Sequence, residues 1–191
     1  MEFNEIDFNN GVPQETVEDL LFLSLLPLAS EYDEERIQVF FSECLAALEL
    51  GIGKLYVLSE RNKHIAYSFI FDGDDSEEGA PHIHIVTVHK SKQRSGYGGT
   101  LMRELIRSRG KEGFTLECKE RTIPFFESNG FSLSQVELDN IHFAMTYGLG
   151  SSRPRFKRPS LDDSAYNRYS IFYKRTAHRL QEKGFIRLGS V

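Results

Sequence analysis

The segment His82–Leu105 constrains this chain more than any other part of it. Residues His82–His89 alternate two sets of side chains, as a strand requires, with His82, His84, Val86 and Val88 expected on one side and Ile83, Ile85, Thr87 and His89 on the other. The strand runs into Gln93-Arg94-Ser95-Gly96-Tyr97-Gly98-Gly99 and then into an apolar-periodic stretch, about Gly98–Arg109, that reads as a helix. Three glycines between a strand and a helix let backbone approach an anion closely, and the first helical N–H groups point outward unpaired. A phosphate or pyrophosphate suits such a site; a glycine-rich turn without any ligand is the plainer alternative. The G-x-x-x-x-G-K-[ST] and G-x-G-x-x-G strings of nucleotide-binding loops are absent.

Around this segment the pattern predicts mixed α/β layers in the order β-α-α-β-β-β-α-β-α-β-β. Glu2–Phe8 reads as a first strand. Pro13 opens a helix over Gln14–Leu28, disturbed at its end by Pro27, and a second helix carries Ile37, Phe40, Phe41, Cys44, Leu45 and Leu48. Lys54–Leu58 and His64–Phe71 form a hairpin, followed by the acidic loop Asp72–Gly79. Phe114–Cys118, a short helix over Thr122–Ser128, and the strands Phe131–Val136 and Ile141–Tyr147 complete a body spanning residues 1–148. Residues 149–191 read as a linker and a basic amphipathic helix, capped by Asp162-Asp163, with Tyr166, Tyr169, Tyr173, Ala177 and Leu180 on one face.

The net charge of −5 hides a division. Residues 150–191 hold ten Lys/Arg against three acids, whereas residues 1–149 hold thirteen against twenty-five. An acidic body disfavours nucleic acid and attracts cationic partners such as amines. The two cysteines, Cys44 and Cys118, sit in apolar segments without zinc-type spacing. Leu20–Ala29 is too short to span a bilayer, and the acidic start of the chain lacks a signal-peptide pattern, so the expected location is cytoplasmic with no membrane partner. Monomer and homodimer are equally compatible with these features.

Val88-His89-Lys90-Ser91-Lys92-Gln93-Arg94-Ser95-Gly96-Tyr97-Gly98-Gly99 resembles the acetyl-CoA motif of the GNAT superfamily, and Pro124-Phe125-Phe126-Glu127-Ser128-Asn129-Gly130-Phe131 resembles its short helix ending in Gly-Phe. Within the superfamily, His82-Ile83-His84-Ile85-Val86-Thr87-Val88-His89 is similar to the strand of the arylalkylamine (serotonin) N-acetyltransferase type, and Cys118 matches a cysteine of that family. The resemblance implies a central mixed, mostly antiparallel sheet flanked by helices, and transfer of acetyl from acetyl-CoA to a primary amine. It also implies that backbone of Val86 and Val88 pairs with the pantetheine arm. N–H groups of the loop from Gln93 and Arg94 through Ser95, Gly96, Tyr97 and Gly98 to Gly99 would take the pyrophosphate. His82 and His84 would conduct a proton from the attacking ammonium.

Elementary chemistry agrees with that last role. An amine attacks a thioester as the free base, so an ammonium with a pKa near ~10 must lose a proton, and imidazole accepts one near neutrality. A pair of satisfied histidines packed on a sheet is the alternative. No carboxylate stands at metal-ligand spacing from them, so the pattern does not call for a metal. Phe126 departs from the family, which has a tyrosine there as the acid for the leaving thiolate; Cys118, Tyr97, Ser128 and Tyr147 are candidate substitutes. The tail either docks its Tyr/Leu stripe on the acidic body or a protein partner, or interleaves aromatic and basic residues to bind nucleic acid, the packed reading being favoured. The competing functions are a small-amine acetyltransferase, an acetyltransferase of protein or nucleic-acid-linked amines, and a GNAT-like interaction module.

Overall fold

A computed structural model of the chain describes residues 1–6, 8, 11–76, 79–137, 141–149 and 155–186. Strand β1 (Glu2–Ile6) is followed by helices α1 (Gln14–Leu25) and α2 (Glu34–Glu49), joined by a 3-10 turn over Leu26–Ser30. Pro27 cannot donate to a helical ladder, which accounts for the shortening of α1 relative to the expected Leu28 end. The Asp33 carboxylate accepts from the Arg36 N–H at 2.8 Å and starts α2. Strands β2 (Gly53–Glu60) and β3 (Lys63–Phe71) turn at Arg61-Asn62, both with positive φ, a tighter hairpin than the polar run implies. Then come β4 (His82–Val88), α3 (Tyr97–Arg109), β5 (Phe114–Lys119), α4 (Ile123–Glu127), β6 (Ser132–Glu137), β7 (His142–Tyr147) and α5 (Asp163–Glu182).

The seven strands form one sheet in the order β1-β2-β3-β4-β5-β7-β6. Every pairing is antiparallel except β4 with β5, which pair in parallel only at His82–Thr115 and Ile83–Leu116. Beyond Ile83, β4 continues alongside β3 and β5 continues alongside β7. The two strands therefore fork, with the fork opening toward Val88 and Lys119.

One expectation fails on the central strand. Ile83 and Ile85 of β4 oppose the consecutive residues Ile70 and Phe69 of β3, so His84 is an extra residue in a β-bulge. The bulge resets the alternation. Ile83, Val86 and Val88 lie with the apolar cluster under α3 and α4, whereas Ile85 packs with the cluster under α1, α2 and α5. His84 packs on Phe40 of α2 and Phe71, and the Thr87 hydroxyl donates to the Ser24 carbonyl of α1. The histidines and the two valines thus occupy opposite faces of the sheet.

Helix α5 is built into the second of those clusters. Asp162 caps it, its side chain accepting from Ala165 N–H at 2.7 Å. Tyr169, Tyr173 and Leu180 are buried, and the Tyr173 ring lies 5.1 Å from Phe22 and 5.5 Å from Phe41. The basic face of α5 meets acids of α1 and α2: Arg168 and the Tyr169 hydroxyl donate to Glu49, and Arg179 and Lys183 to Asp19. Glu18 is fully buried and receives Arg175 at 2.8 Å and Arg179 at 3.3 Å. The expected boundary at 148/149 adjoins residues 150–154, outside the described residues. Among the described residues no helix is long and apolar enough to cross a membrane.

A carboxylate taken fully out of water depends on its partners. Replacing Arg175 and Arg179 together by Met is expected to destabilise the protein by about 3–5 kcal/mol, read as the midpoint of urea unfolding. Adding Glu18→Gln should recover a substantial part of that loss.

Candidate active site at the β4–β5 fork

At the mouth of the fork, β4 ends in a 3-10 turn, Lys90–Lys92, and the loop Gln93–Gly96 leads into α3. The Gln93 side-chain amide donates to the Val88 carbonyl at 3.2 Å and pins the loop to the strand end. Arg94 has φ 58° and Gly96 φ 82°, two left-handed positions that turn successive N–H groups toward one concavity. Ser95 is exposed, and its hydroxyl donates to the Gln93 carbonyl at 3.4 Å. The Tyr97 hydroxyl donates to Glu60 at 3.0 Å, which directs the ring toward the β2–β3 turn and leaves Tyr97 to contribute its N–H to the loop. A Cβ at Gly98 would stand 3.3 Å from the Phe125 ring and 3.6 Å from Val88, so glycine permits the close packing of α3 on β4 and α4. Gly99 begins the free turn of the helix beside Arg103 and Asn129. The N-terminal end of α3, flanked by Lys90, Lys92 and Arg94, suits an anionic diphosphate.

Below the loop, β4 from His84 to Val88 has no strand partner on the β5 side among the described residues. Unpaired backbone inside a sheet seeks partners. An extended amide-bearing chain can hydrogen-bond there as a strand would, beside Val86 and Val88. Together with the anion-binding loop, this edge fits coenzyme A.

His82 and His84 flank the apex of the fork. His82 is buried, hydrogen-bonds through Nδ1 to the Thr115 hydroxyl at 2.9 Å, and stacks on Phe156 with ring centroids 4.1 Å apart. His84 Nε2 points at Glu43 Oε2, 3.7 Å away, and neither atom has a hydrogen-bond partner. Burial pushes both imidazoles down to about 3, the positive Arg158 adding to it, and for His84 the neighbouring His82 as well. Glu43 Oε2 at 3.7 Å is too far to hydrogen-bond with His84 Nε2, and desolvation is the largest cause of the His84 depression. His89 is exposed and bonds locally to Ser91.

Sequence reasoning did not single out the other groups at this apex. Residues 155–158 form a strap clipped to the acidic loop: Asp74 and Ala80 N–H donate to the Arg155 carbonyl, and Lys157 N–H donates to the Asp72 carbonyl. The strap brings Phe156 onto His82 and Arg158 onto Glu43 Oε1 at 2.7 Å. Glu43 carried a legible signal, since it lies three residues from Phe40 on a helix face that is otherwise apolar. Phe156 and Arg158 carried none, because only tertiary structure brings the strap to β4.

On α4, Phe126 is buried against Phe125 and Phe131, with ring centroids at 5.0 and 5.9 Å. The candidate substitutes for a phenol here are engaged elsewhere. Cys118 Sγ contacts Met145 Sδ at 3.5 Å and its thiol is pushed up by burial, while the Ser128 hydroxyl donates to the Phe125 carbonyl and Tyr147 packs on Phe114 and Phe131.

Residues 51–133, which contain the fork, the loop, α3 and α4, match the acetyltransferase (GNAT) domain family. No curated protein matches the chain in sequence. Among solved structures, Escherichia coli ElaA superposes with a TM-score of 0.56 at 18% identity, covering 76% of this chain and 98% of its own. Tetrahymena GCN5 gives 0.58 at 14% identity, covering 80% and 99%. An aminoglycoside 6'-N-acetyltransferase complexed with coenzyme A gives 0.57 at 13% identity, covering 85% and 100%.

A histidine whose folded pKa is depressed binds fewer protons than its unfolded counterpart between about pH 3 and pH 6.5. Stability is therefore complete above that window and falls as pH drops into it. From pH 7 to pH 5, His82 is expected to cost about 2 kcal/mol, with His84 acting in the same direction. Thermal melts at the two pH values should show a smaller difference in His82→Asn than in the wild type.

The chain thus shares the fold of these acetyltransferase structures, and its residues 51–133, with the fork and the loop among them, match the acetyltransferase (GNAT) domain family.

Proposed function

We propose that this domain acetylates a primary amine, a small molecule, by direct attack in a ternary complex, with His82 and His84 removing the proton. The observation that carries the reading is the placement of the two imidazoles at the apex of the β4–β5 fork, on the face opposite Val86 and Val88. Acetyl-CoA supplies the activated thioester. The loop Gln93–Gly99 binds its diphosphate, and the free edge at Val86 and Val88 aligns its arm from the α3 side. The acceptor enters from the α2 side, so the two substrates meet across the strand. The ammonium gives one proton to imidazole, which passes it to solvent; the nitrogen lone pair forms the C–N bond, the C–S bond breaks with CoA leaving as thiolate, and the second nitrogen proton leaves by the same imidazole path. Burial holds both imidazoles down to about 3, which keeps them as free bases throughout the neutral range but weakens them as proton acceptors, so the step depends on an accepted proton passing on to solvent.

The arylalkylamine-like histidine strand supports a small amine over a macromolecular acceptor. So does the spending of the basic face of α5 on Glu18, Asp19 and Glu49 rather than on a nucleic-acid surface. Release of CoA across a panel of amines, polyamines, aminoglycosides and peptides tests the reading. His84→Ala is expected to lower kcat by about 10²-fold or more and shift the pH–rate profile upward, while His89→Ala stays near wild type. Equal effects of the two substitutions would remove the proposed proton path, and no calorimetric binding of acetyl-CoA at millimolar concentration would remove the reaction altogether.

A further inference from the structure

Glu43 reaches to 3.7 Å from His84 at the fork apex, and its two oxygens have different fates. Oε1 accepts from the Arg158 guanidinium at 2.7 Å, whereas Oε2 is buried without a partner and faces the equally unpartnered Nε2 of His84. A buried carboxylate oxygen and a buried ring nitrogen left unsatisfied each carry a desolvation cost that a donor placed between them would remove. The two atoms make no hydrogen bond to each other, and with the ring N–H on Nδ1 both Nε2 and Oε2 are left as acceptors. The species that fits them is a cation with several N–H donors. With 3.7 Å between the atoms, one ammonium nitrogen can sit within hydrogen-bond distance of both.

The walls of this spot are aromatic. Phe40 and Phe71 flank His84 with centroids at 5.5 and 4.8 Å, and Phe156 closes the His82 side. Rings beside the two imidazoles favour an organic cation over a hydrated metal ion. Arg158 is already such a cation, and its side chain is 54% exposed while Glu43 is 13% exposed. It can swing into solvent as the substrate's ammonium takes its place, so that the buried carboxylate exchanges one cation for another rather than standing unpaired.

We infer that Glu43 and His84 form the receiving site for the acceptor's ammonium group, and that Arg158 of the strap occupies Glu43 as a stand-in that the substrate displaces. The site rests on the amine acetyltransferase reading, which it deepens by making a positively charged amine the recognised feature. It adds Glu43 as a binding residue and Arg158 as the competitor that sets affinity. Removing Arg158 should therefore tighten amine binding, an effect that loss of a merely structural ion pair would not produce.

The test is a titration of the full chain with n-butylamine, and with n-butanol as its uncharged counterpart, followed by NMR of the histidine ring signals with no acetyl donor present. n-Butylamine is expected to shift the His84 resonances saturably, and n-butanol is not. Glu43→Gln should weaken the amine by about tenfold or more, and Arg158→Gln should strengthen it severalfold, with melting temperatures checking that both variants fold. The inference is overturned if n-butylamine leaves His84 unmoved at high millimolar concentration, if folded Glu43→Gln binds as well as wild type, or if Arg158→Gln weakens binding. Because binding is read without turnover, an amine that binds but is never acetylated counts against the reaction alone. An amine that is acetylated without contacting His84 counts against this site alone.

Discussion

The rest of the structure depends on a parallel strand pair that is abandoned after two residues. Once β4 and β5 part beyond Ile83 and Leu116, each loses its neighbour on one side in the middle of a sheet, where unpaired backbone groups are costly. Other elements hold the strands apart. β3 keeps β4 in register to Val88, and β7 keeps β5 in register to Lys119. A strut crosses the opening: Glu31, between α1 and α2, accepts from Lys119 at 3.0 Å and also pairs with Arg121, while the Lys119 ammonium lies over the Tyr32 ring. The fork is a built opening rather than a frayed edge.

The bulge at His84 decides what each side of that opening offers. By adding one residue it turns the histidines to the α2 face and the valines to the α3 face, so the two sides of one strand offer different chemistry. Glycine at 98 then lets α3 and Phe125 close down on the valine side. On the histidine side, Phe40 and Glu43 of α2 and the strap close the apex, and α5 fixes α1 and α2 through Tyr173 and the buried Glu18 cluster. The basic C-terminal helix and the acidic body are therefore two halves of one packed face.

Element order and the glycine loop were legible in the sequence because they rest on local signals: a β-branched alternation, Asp33 and Asp162 as caps, and Gly96 where a left-handed turn is needed. The contents of the site were only half legible. A bulge leaves no trace in strict alternation, so the histidines were expected to share a face with Val86 and Val88 until register with β3 showed otherwise. Glu43 was visible as an acid on an apolar helix face, but its partner Arg158 lies 115 residues away, and loop residues acquire such roles only when the strap docks. Glu18 had the same local signature, an acid between Val17 and Leu21, and proved to be a structural anchor. A buried acid on an amphipathic helix thus announces that a cation will arrive, without saying whether that cation is a side chain or a substrate.

The chemistry on the donor side follows from a residue that is missing. Among the described residues, Phe126 packs among Phe125 and Phe131, Cys118, Ser128 and Tyr97 direct their polar atoms to other partners, and the Tyr147 ring packs on Phe131. A thiol near pKa ~8.5 needs little help to leave as its anion at neutral pH. An amine near ~10 needs a good deal of help to arrive as its free base. The proton that matters is therefore the acceptor's, and in the proposed reaction this is the side on which the chain places two buried imidazoles and a carboxylate.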